Sequence, residues 1–596
     1  MRVLLLVVLV IAALAAVAFW QRDRIETLLR AQKAEWEHDR AVSAMGAERL
    51  DEVMVPMPDG VRLATDVYLP EGAEGPLPAI LMRLPYGKTR FGEVRKWMRT
   101  FLPEGYAVVV QDMRGRYASE GVWAPYPDEA RDGAATLDWI AAQGWSDGKV
   151  GTIGCSALGE TQLMLASERH PAHGAMIPMG AGGAIGTLDG AYGFFGFFEG
   201  GILNLASGFG WFVAAGGKTP DRMGKPPVDY PRGLNTLPVR DAVATFRDDP
   251  TDYGAFLDHF DDPAYWAASG FIDADDRFGT PFLIVDNWYD GARESLRLAA
   301  RMRETGAEGT ALILPGLHCD IGGAFVDGAV GDMPVDPAQG QDFDALFIGF
   351  MDHHLKGAPA PELPPVRYYL MGEDRWMDAE SWPPAAAVTQ TLYLDGESLN
   401  REPPAQGRES FTSDPMDPVP TIGGTICCTG DPDQRAGPLD QRPIEGRADL
   451  LVLTGSELTE PLRIVGPMRA HLHVSTDVPD TDLVARLTDV APDGTSLMIQ
   501  EGALRLRYRN GYATPELMEP GKVYEATVDL RDIAYTVPAG HRLRLHVAGS
   551  SFPRLARNLN GGGDPYAETE AHAAQITIHT GGDTPSRVEL SILPDG

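Results

Sequence analysis

Three groups in this chain have the types and surroundings for nucleophilic chemistry. The hexapeptide Gly154-Cys155-Ser156-Ala157-Leu158-Gly159 follows the apolar run Val150–Ile153 and opens the helix-like stretch Glu160–Arg169. A serine in a small-residue turn between strand and helix has its hydroxyl lifted above the sheet, within reach of a substrate carbonyl. The second glycine stands three residues after the serine, not two, and glycine-flanked serines are common turns, so partners must be found before the motif means chemistry. A hydroxyl is a poor nucleophile until a histidine takes its proton and a carboxylate orients the ring. Of thirteen histidines, His318 is the one set just after a buried run, Thr310–Leu314, that itself follows an acid. That acid is either Asp286, ending the run Pro281–Asp286, or Asp290 in the loop Asn287-Trp288-Tyr289-Asp290-Gly291. Residue types alone leave both open. Tyr86, in Pro85-Tyr86-Gly87 at the end of Ala79–Met82, offers a phenol that either donates to an oxyanion or bonds backbone in a turn.

These residues need a sheet to bring them together. From Pro78 to Gly180 apolar runs alternate with helical patterns, which indicates parallel βαβ units. Tyr106–Asp112 and Lys149–Ile153 read as strands and Asp128–Gln143 as a helix, while Val53–Leu69 reads as a hairpin around Pro58-Asp59-Gly60. Serine, acid and histidine then follow successive strands in the chain order of an α/β-hydrolase triad, all at the carboxyl edge of the sheet. The stretch 185–272 breaks the rhythm and is rich in aromatics, including Tyr192, Phe194, Phe195, Phe197, Phe198, Phe209, Trp211 and Phe212. Most should pack this insert's own core. Phe194, Phe198 and Trp211, with Trp288 from the acid loop, are the candidates to wall a substrate pocket. Lys356–Pro365 (KGAPAPELPP) is expected to be the interdomain linker, closing a catalytic domain of residues 51–184 and 273–356. Beyond it, Leu450–Leu453, Arg469–Ser475, Leu483–Thr488, Tyr524–Leu530, Arg542–Ala548 and Gln575–His579 are short strands at sandwich spacing, giving an all-β domain over 366–596.

Several segments together resemble the cocaine-esterase-like branch of the α/β-hydrolases, with its α-amino-acid ester hydrolases, acylases and X-prolyl dipeptidyl peptidases. They are Val55–Leu69, Leu84–Lys88 (LPYGK), Tyr106–Gly121, Gly144–Gly159, Asn287–Gly291 (NWYDG), Gly316–His318, Gly437–Arg442 and Ser550–Asn560. The resemblance implies an α/β-hydrolase fold with a helical cap inserted in the sheet, followed by a C-terminal jelly roll. It implies a triad of Ser156, Asp290 and His318, an oxyanion hole from the Ala157 N–H and the Tyr86 hydroxyl, and hydrolysis of esters or amides. Ala157 stands where most relatives carry tyrosine. Aminoacyl ester hydrolases of the family bind the substrate ammonium with acids two and three positions after the catalytic aspartate. Ala292 and Arg293 stand there here, so no preference for a free α-amino group is expected.

The chain has 596 residues, enough for two or three domains, with 84 acidic against 51 basic side chains and a net charge of −33. That balance argues against nucleic acid or anionic lipid as a ligand and leaves a small-molecule substrate. Val3–Trp20 is an unbroken apolar run of 18 residues, long enough to span a bilayer. It reads as an export segment over 1–20, an uncleaved anchor in preference to a signal cleaved after Ala16-Val17-Ala18. Residues 21–50 would then form a polar stalk, with the enzyme on the periplasmic face of the inner membrane. Cys155 and Cys319 adjoin triad residues. Two buried thiols are expected there, with a disulfide as the alternative. Cys427 and Cys428 are adjacent. No metal-binding motif is present, so neither metal nor cofactor is expected.

Overall fold

The computed structural model of the protein describes residues 22–188, 191–192, 196–218 and 228–594. The expected export segment lies outside the described residues. Among them, no helix is long and apolar enough to cross a membrane.

The first layer system is a ten-stranded sheet. Its strands are β1 (Glu48–Pro56), β2 (Arg62–Leu69), β3 (Leu77–Leu84), β4 (Ala107–Asp112), β5 (Ser146–Cys155), β6 (His173–Met179), β7 (Phe282–Asn287), β8 (Gly309–Leu314), β9 (Val366–Leu370) and β10 (Arg375–Ala379). They lie in the order β1-β2-β4-β3-β5-β6-β7-β8-β9-β10. The interior pairings from β4 to β9 are parallel, and only the flanks are antiparallel. The reason is in the sequence. Runs such as AVVVQD and FLIVDN are buried at every position, as strands covered by helices on both faces must be. The strand order reverses between β3 and β5, and that switch point opens a crevice at their carboxyl ends.

Helix α1 (Arg22–Met45) is no free stalk. Its second half docks on the sheet, with Ala41 and Val42 buried and the buried His38 ring 2.7 Å from the Tyr68 hydroxyl. Helix α2 (Gly92–Phe101) follows β3, and α3 (Glu129–Ala141) covers the sheet where the sequence placed a helix. Helix α4 (Ala157–Ser167) begins directly after Ser156 and is buried on all sides from Ala157 to Ala166. The insert after β6 holds α5 (Leu205–Ala215) and several shorter helices, with Ile185–Leu188 pairing Ile272–Asp273 at its base. Helix α6 (Ala292–Glu304) links β7 to β8.

The proline-rich segment 356–365 does not end the catalytic sheet, because β9 and β10 lie beyond it and extend that sheet's edge. The all-β domain begins after them. Its eleven strands form one hydrogen-bonded system around Leu462–Thr476. That long strand pairs on one side with Tyr524–Val537 and on the other with Arg587–Ile592 and then Ala574–His579. All six strands read from the sequence are present, several of them longer than expected.

Candidate active site

At the end of β5 the chain turns sharply through Ser156, which has φ 61° and ψ −128°, a conformation that L-residues seldom adopt. The surrounding fold holds it there. The Ser156 N–H donates to the Met179 carbonyl at 2.8 Å, and the Cys155 N–H donates to the half-buried Glu93 carboxylate at 2.9 Å. Two glycines make the turn possible. A Cβ at Gly154 would lie 2.5 Å from Leu158 Cβ, and one at Gly159 would lie 2.7 Å from the Met179 carbonyl oxygen. The glycine three residues after the serine therefore lets α4 approach β6.

The two candidate acids divide the work. Asp290 Oδ1 and Oδ2 each lie 2.9 Å from His318 Nδ1. Asp286 is fully buried and holds the loop instead: it accepts from the N–H of Asn287 at 2.7 Å and of Gly291 at 3.2 Å, and from the Ser295 hydroxyl. Asn287 braces the neighbouring loop by accepting the Gly316 N–H at 2.9 Å. With Nδ1 engaged, the other ring nitrogen of His318 is left for the pocket that Ser156 also lines. Burial works to lower the pKa of His318, but the adjoining Asp290 carboxylate outweighs it and raises the pKa well above the usual value.

Ala157 is the first residue of α4, so its N–H has no acceptor within the helix and points where an anion would be welcome. The Tyr86 hydroxyl oxygen accepts from the Trp211 indole N–H at 3.1 Å, so its own proton remains to be donated. Both residues line the pocket, as do Phe197, Phe198 and Trp211 from the cap. Phe209 and Phe212 pack within the cap, against Tyr230 and Phe246 and against Tyr253 and Phe256.

Three readings need correcting, and a fourth falls outside the described residues. Trp288 does not line the pocket: its indole N–H donates to the Tyr369 carbonyl at 2.8 Å and its ring lies against Trp382. Phe194 lies outside the described residues. Cys155 and Cys319 form a disulfide with Cα atoms 5.8 Å apart, not two thiols, because the serine and histidine loops converge. Arg293 is not part of the pocket wall either; its guanidinium is held by Glu294, with Asp529 at 3.5 Å.

Three pocket features escaped the sequence. Glu160, one turn into α4, faces the pocket and accepts from the Tyr126 hydroxyl, and burial pushes its carboxyl up to about 7. Arg531 enters from the all-β domain and donates to the Asp290 carbonyl at 3.3 Å. Cys427 and Cys428, also from that domain, complete the wall beside His318.

Residues 59–320 match the family profile of the X-Pro dipeptidyl-peptidase (S15 family), and residues 360–589 match that of the X-Pro dipeptidyl-peptidase C-terminal non-catalytic domain. The chain is 33% identical over 576 residues to the cocaine esterase of Rhodococcus sp. (strain MB1 Bresler), covering 91% of this chain and 98% of that protein. Among solved structures it is similar to an aminopeptidase from a marine sediment archaeon, Thaumarchaeota archaeon, with TM-score 0.81 and 25% identity over 93% of this chain and 97% of the other. It is equally similar to an α-amino acid ester hydrolase, with TM-score 0.80 and 26% identity over 92% and 96%.

Proposed function

The chain belongs to the S15 X-Pro dipeptidyl-peptidase family of α/β-hydrolases and is a serine ester hydrolase; from that premise we propose that it works through an acyl-enzyme formed on Ser156. The Ser156 oxygen attacks the ester carbonyl carbon while the free nitrogen of His318 takes its proton. Asp290 stays ionised and balances the imidazolium. The carbonyl oxygen, now negative, receives the Ala157 N–H and the Tyr86 O–H. As the intermediate collapses, His318 returns the proton to the departing alcohol. A water then gives its proton to His318 and its oxygen to the acyl carbon, which frees the carboxylic acid and restores Ser156. The observation that supports this most is the double 2.9 Å contact of Asp290 with His318 Nδ1 beside a strained serine in the same pocket. A fluorophosphonate probe with peptide mapping tests it: the label is expected on Ser156, and a label elsewhere would sink the assignment.

A second reading, preference for substrates with a cationic nitrogen, is favoured by Glu160. No basic side chain pairs with it among the described residues, and it ionises near neutrality. An ester with a trimethylammonium group on its acyl part, compared with its tert-butyl isostere, gives the measurement. Under this reading kcat/KM for the cation over the isostere rises as pH increases through about 7, and the rise is absent in Glu160→Gln. A ratio that stays flat in the parent leaves the neutral-ester reading alone.

The enzyme works outside the cytoplasm on our reading. The apolar run Val3–Trp20 and the Cys155–Cys319 disulfide support this, since disulfides persist in oxidising compartments. Fractionation of cells expressing the full chain should recover activity outside the cytoplasm. Recovery of all activity in the cytosol would refute it.

A further inference from the structure

Two of the four cysteines are consumed in the Cys155–Cys319 disulfide, and the two that remain, Cys427 and Cys428, face the pocket. Their sulfurs are 2.8 Å apart, and donor atoms of His318, Cys427 and Cys428 all lie within 4.8 Å of one another. We propose that His318, Cys427 and Cys428 form a binding site for one thiophilic divalent cation, such as zinc or cadmium, and that its occupancy and ester hydrolysis exclude one another.

The donor set suits such an ion. Tetrahedral zinc takes thiolate at about 2.3 Å and imidazole nitrogen at about 2.0–2.1 Å, which places ligand atoms roughly 3.5–3.8 Å apart. The two sulfurs, 2.8 Å apart, must therefore separate by about 1 Å, and the histidine nitrogen, within 4.8 Å of both, must come to about 3.5 Å from them. His318 already has the support that metal-bound histidines receive. Its Nδ1 lies against the Asp290 carboxylate, which fixes the ring and enriches the opposite nitrogen. Two sulfurs and one nitrogen leave a fourth position on the pocket side for water.

Binding consumes the chemistry proposed for the site. The nitrogen that would take the Ser156 proton becomes a metal ligand, and its lone pair cannot serve both. Exclusion thus rests on the role proposed for His318, whereas binding itself does not. Thiols bind such an ion as thiolates and must give up their protons to do so. Each cation that binds releases the two thiol protons, so affinity rises with pH.

Metal-free full-length protein is first assayed for free thiols, of which two are expected. It is then titrated with cadmium chloride, and thiolate-to-cadmium charge-transfer absorption and ester hydrolysis are followed together. The absorption should saturate at one cadmium per chain while hydrolysis falls more than tenfold, and EDTA should reverse both. Cys427→Ser/Cys428→Ser should lose the absorption, and its own rate of hydrolysis, whatever its value, should no longer respond to cadmium. Each single serine variant, which serves if the double one does not fold, and His318→Asn should bind at least tenfold more weakly. No absorption from a protein with two free thiols overturns the site, as do thiols found joined to each other or cadmium inhibition unchanged in the serine variants. Full absorption without inhibition overturns the exclusion. If metal-free parent protein hydrolyses no ester, the absorption still decides the site, and the failure belongs to the proposed function instead.

Discussion

Two glutamates near the pocket share chemistry and burial but not circumstance. Glu199, from the cap, accepts from Arg531 at 3.0 Å and from Arg554 at 2.7 Å. Arg554 also reaches Glu501 at 2.8 Å, and Glu501 pairs with Arg486, so the cap is clamped to the all-β domain by a buried ionic lattice. Burial works to raise the pKa of Glu199, but the arginines override it and hold it at about 2. Glu160, from the hydrolase side, has a tyrosine for a partner and stands at about 7. Charge answered from several sides makes a clamp. Charge left with an open side, in Glu160 and in the Asp290–His318 pair, makes a site that can still respond to something entering it.

The contrast can be broken at either end. Ser156→Ala removes the group that the open side serves, and hydrolysis should fall on the order of 10⁶-fold with folding retained. Activity within tenfold of the parent would mean that the nucleophile is elsewhere. Asp290→Asn should cost about 10⁴ in kcat by presenting the wrong partner to His318 Nδ1. Asp286→Asn should act chiefly on stability, since Asp286 binds the loop rather than the ring. The reverse ranking would exchange their roles. The pH profile sharpens the same point. With the neutral ring as the proposed base, kcat/KM should rise with pH through a midpoint above the ordinary histidine value, and the residual activity of Asp290→Asn should have its midpoint lower.

Breaking the clamp gives a different signature. Arg554→Met leaves Glu501 and Glu199 short of a partner in a buried place, which should cost about 3–5 kcal/mol in denaturant unfolding. Glu199 has a folded pKa below its unfolded value, so its contribution is present above about pH 4–5 and lost as pH falls toward 2. Arg554→Met should therefore also move acid unfolding to higher pH. An unchanged acid transition would remove Glu199 from the account. Tyr86→Phe should produce the smallest of these effects, a loss of about 10²–10³ in kcat with KM little altered, because its donor acts on charge that appears only in the transition state. An unaltered kcat would return Tyr86 to a turn residue.

Ser156, Asp290, His318 and Tyr86 were legible because each follows a short apolar run, and such runs in a parallel sheet end at one edge. Family resemblance, not spacing, separated Asp290 from Asp286. Trp288 was misplaced because closeness in sequence to Asp290 says nothing about direction, and its ring turns toward Tyr368 and Trp382 instead. Glu160 was passed over as the start of a helix-like stretch, since nothing local reveals that α4 is buried all round. The Glu199–Arg554 contact spans 355 positions and leaves no local trace. The linker misled for a related reason: proline marks where regular structure stops, not which sheet the next strand joins.

The disulfide between Cys155 and Cys319 closes a ring of covalent structure across a sequence separation of 164 residues. The whole cap hangs inside that ring, while the serine and the histidine stand just within its two ends. A protease that severs one peptide bond anywhere in the insert produces two polypeptides but not two molecules. Ser156 stays on one fragment and His318 on the other, still stitched together through the neighbouring Cys155–Cys319 bridge. Such a nicked enzyme would migrate as one band on a gel without reductant and as two with it. A cut anywhere in the insert would leave the two loops of the candidate site covalently joined.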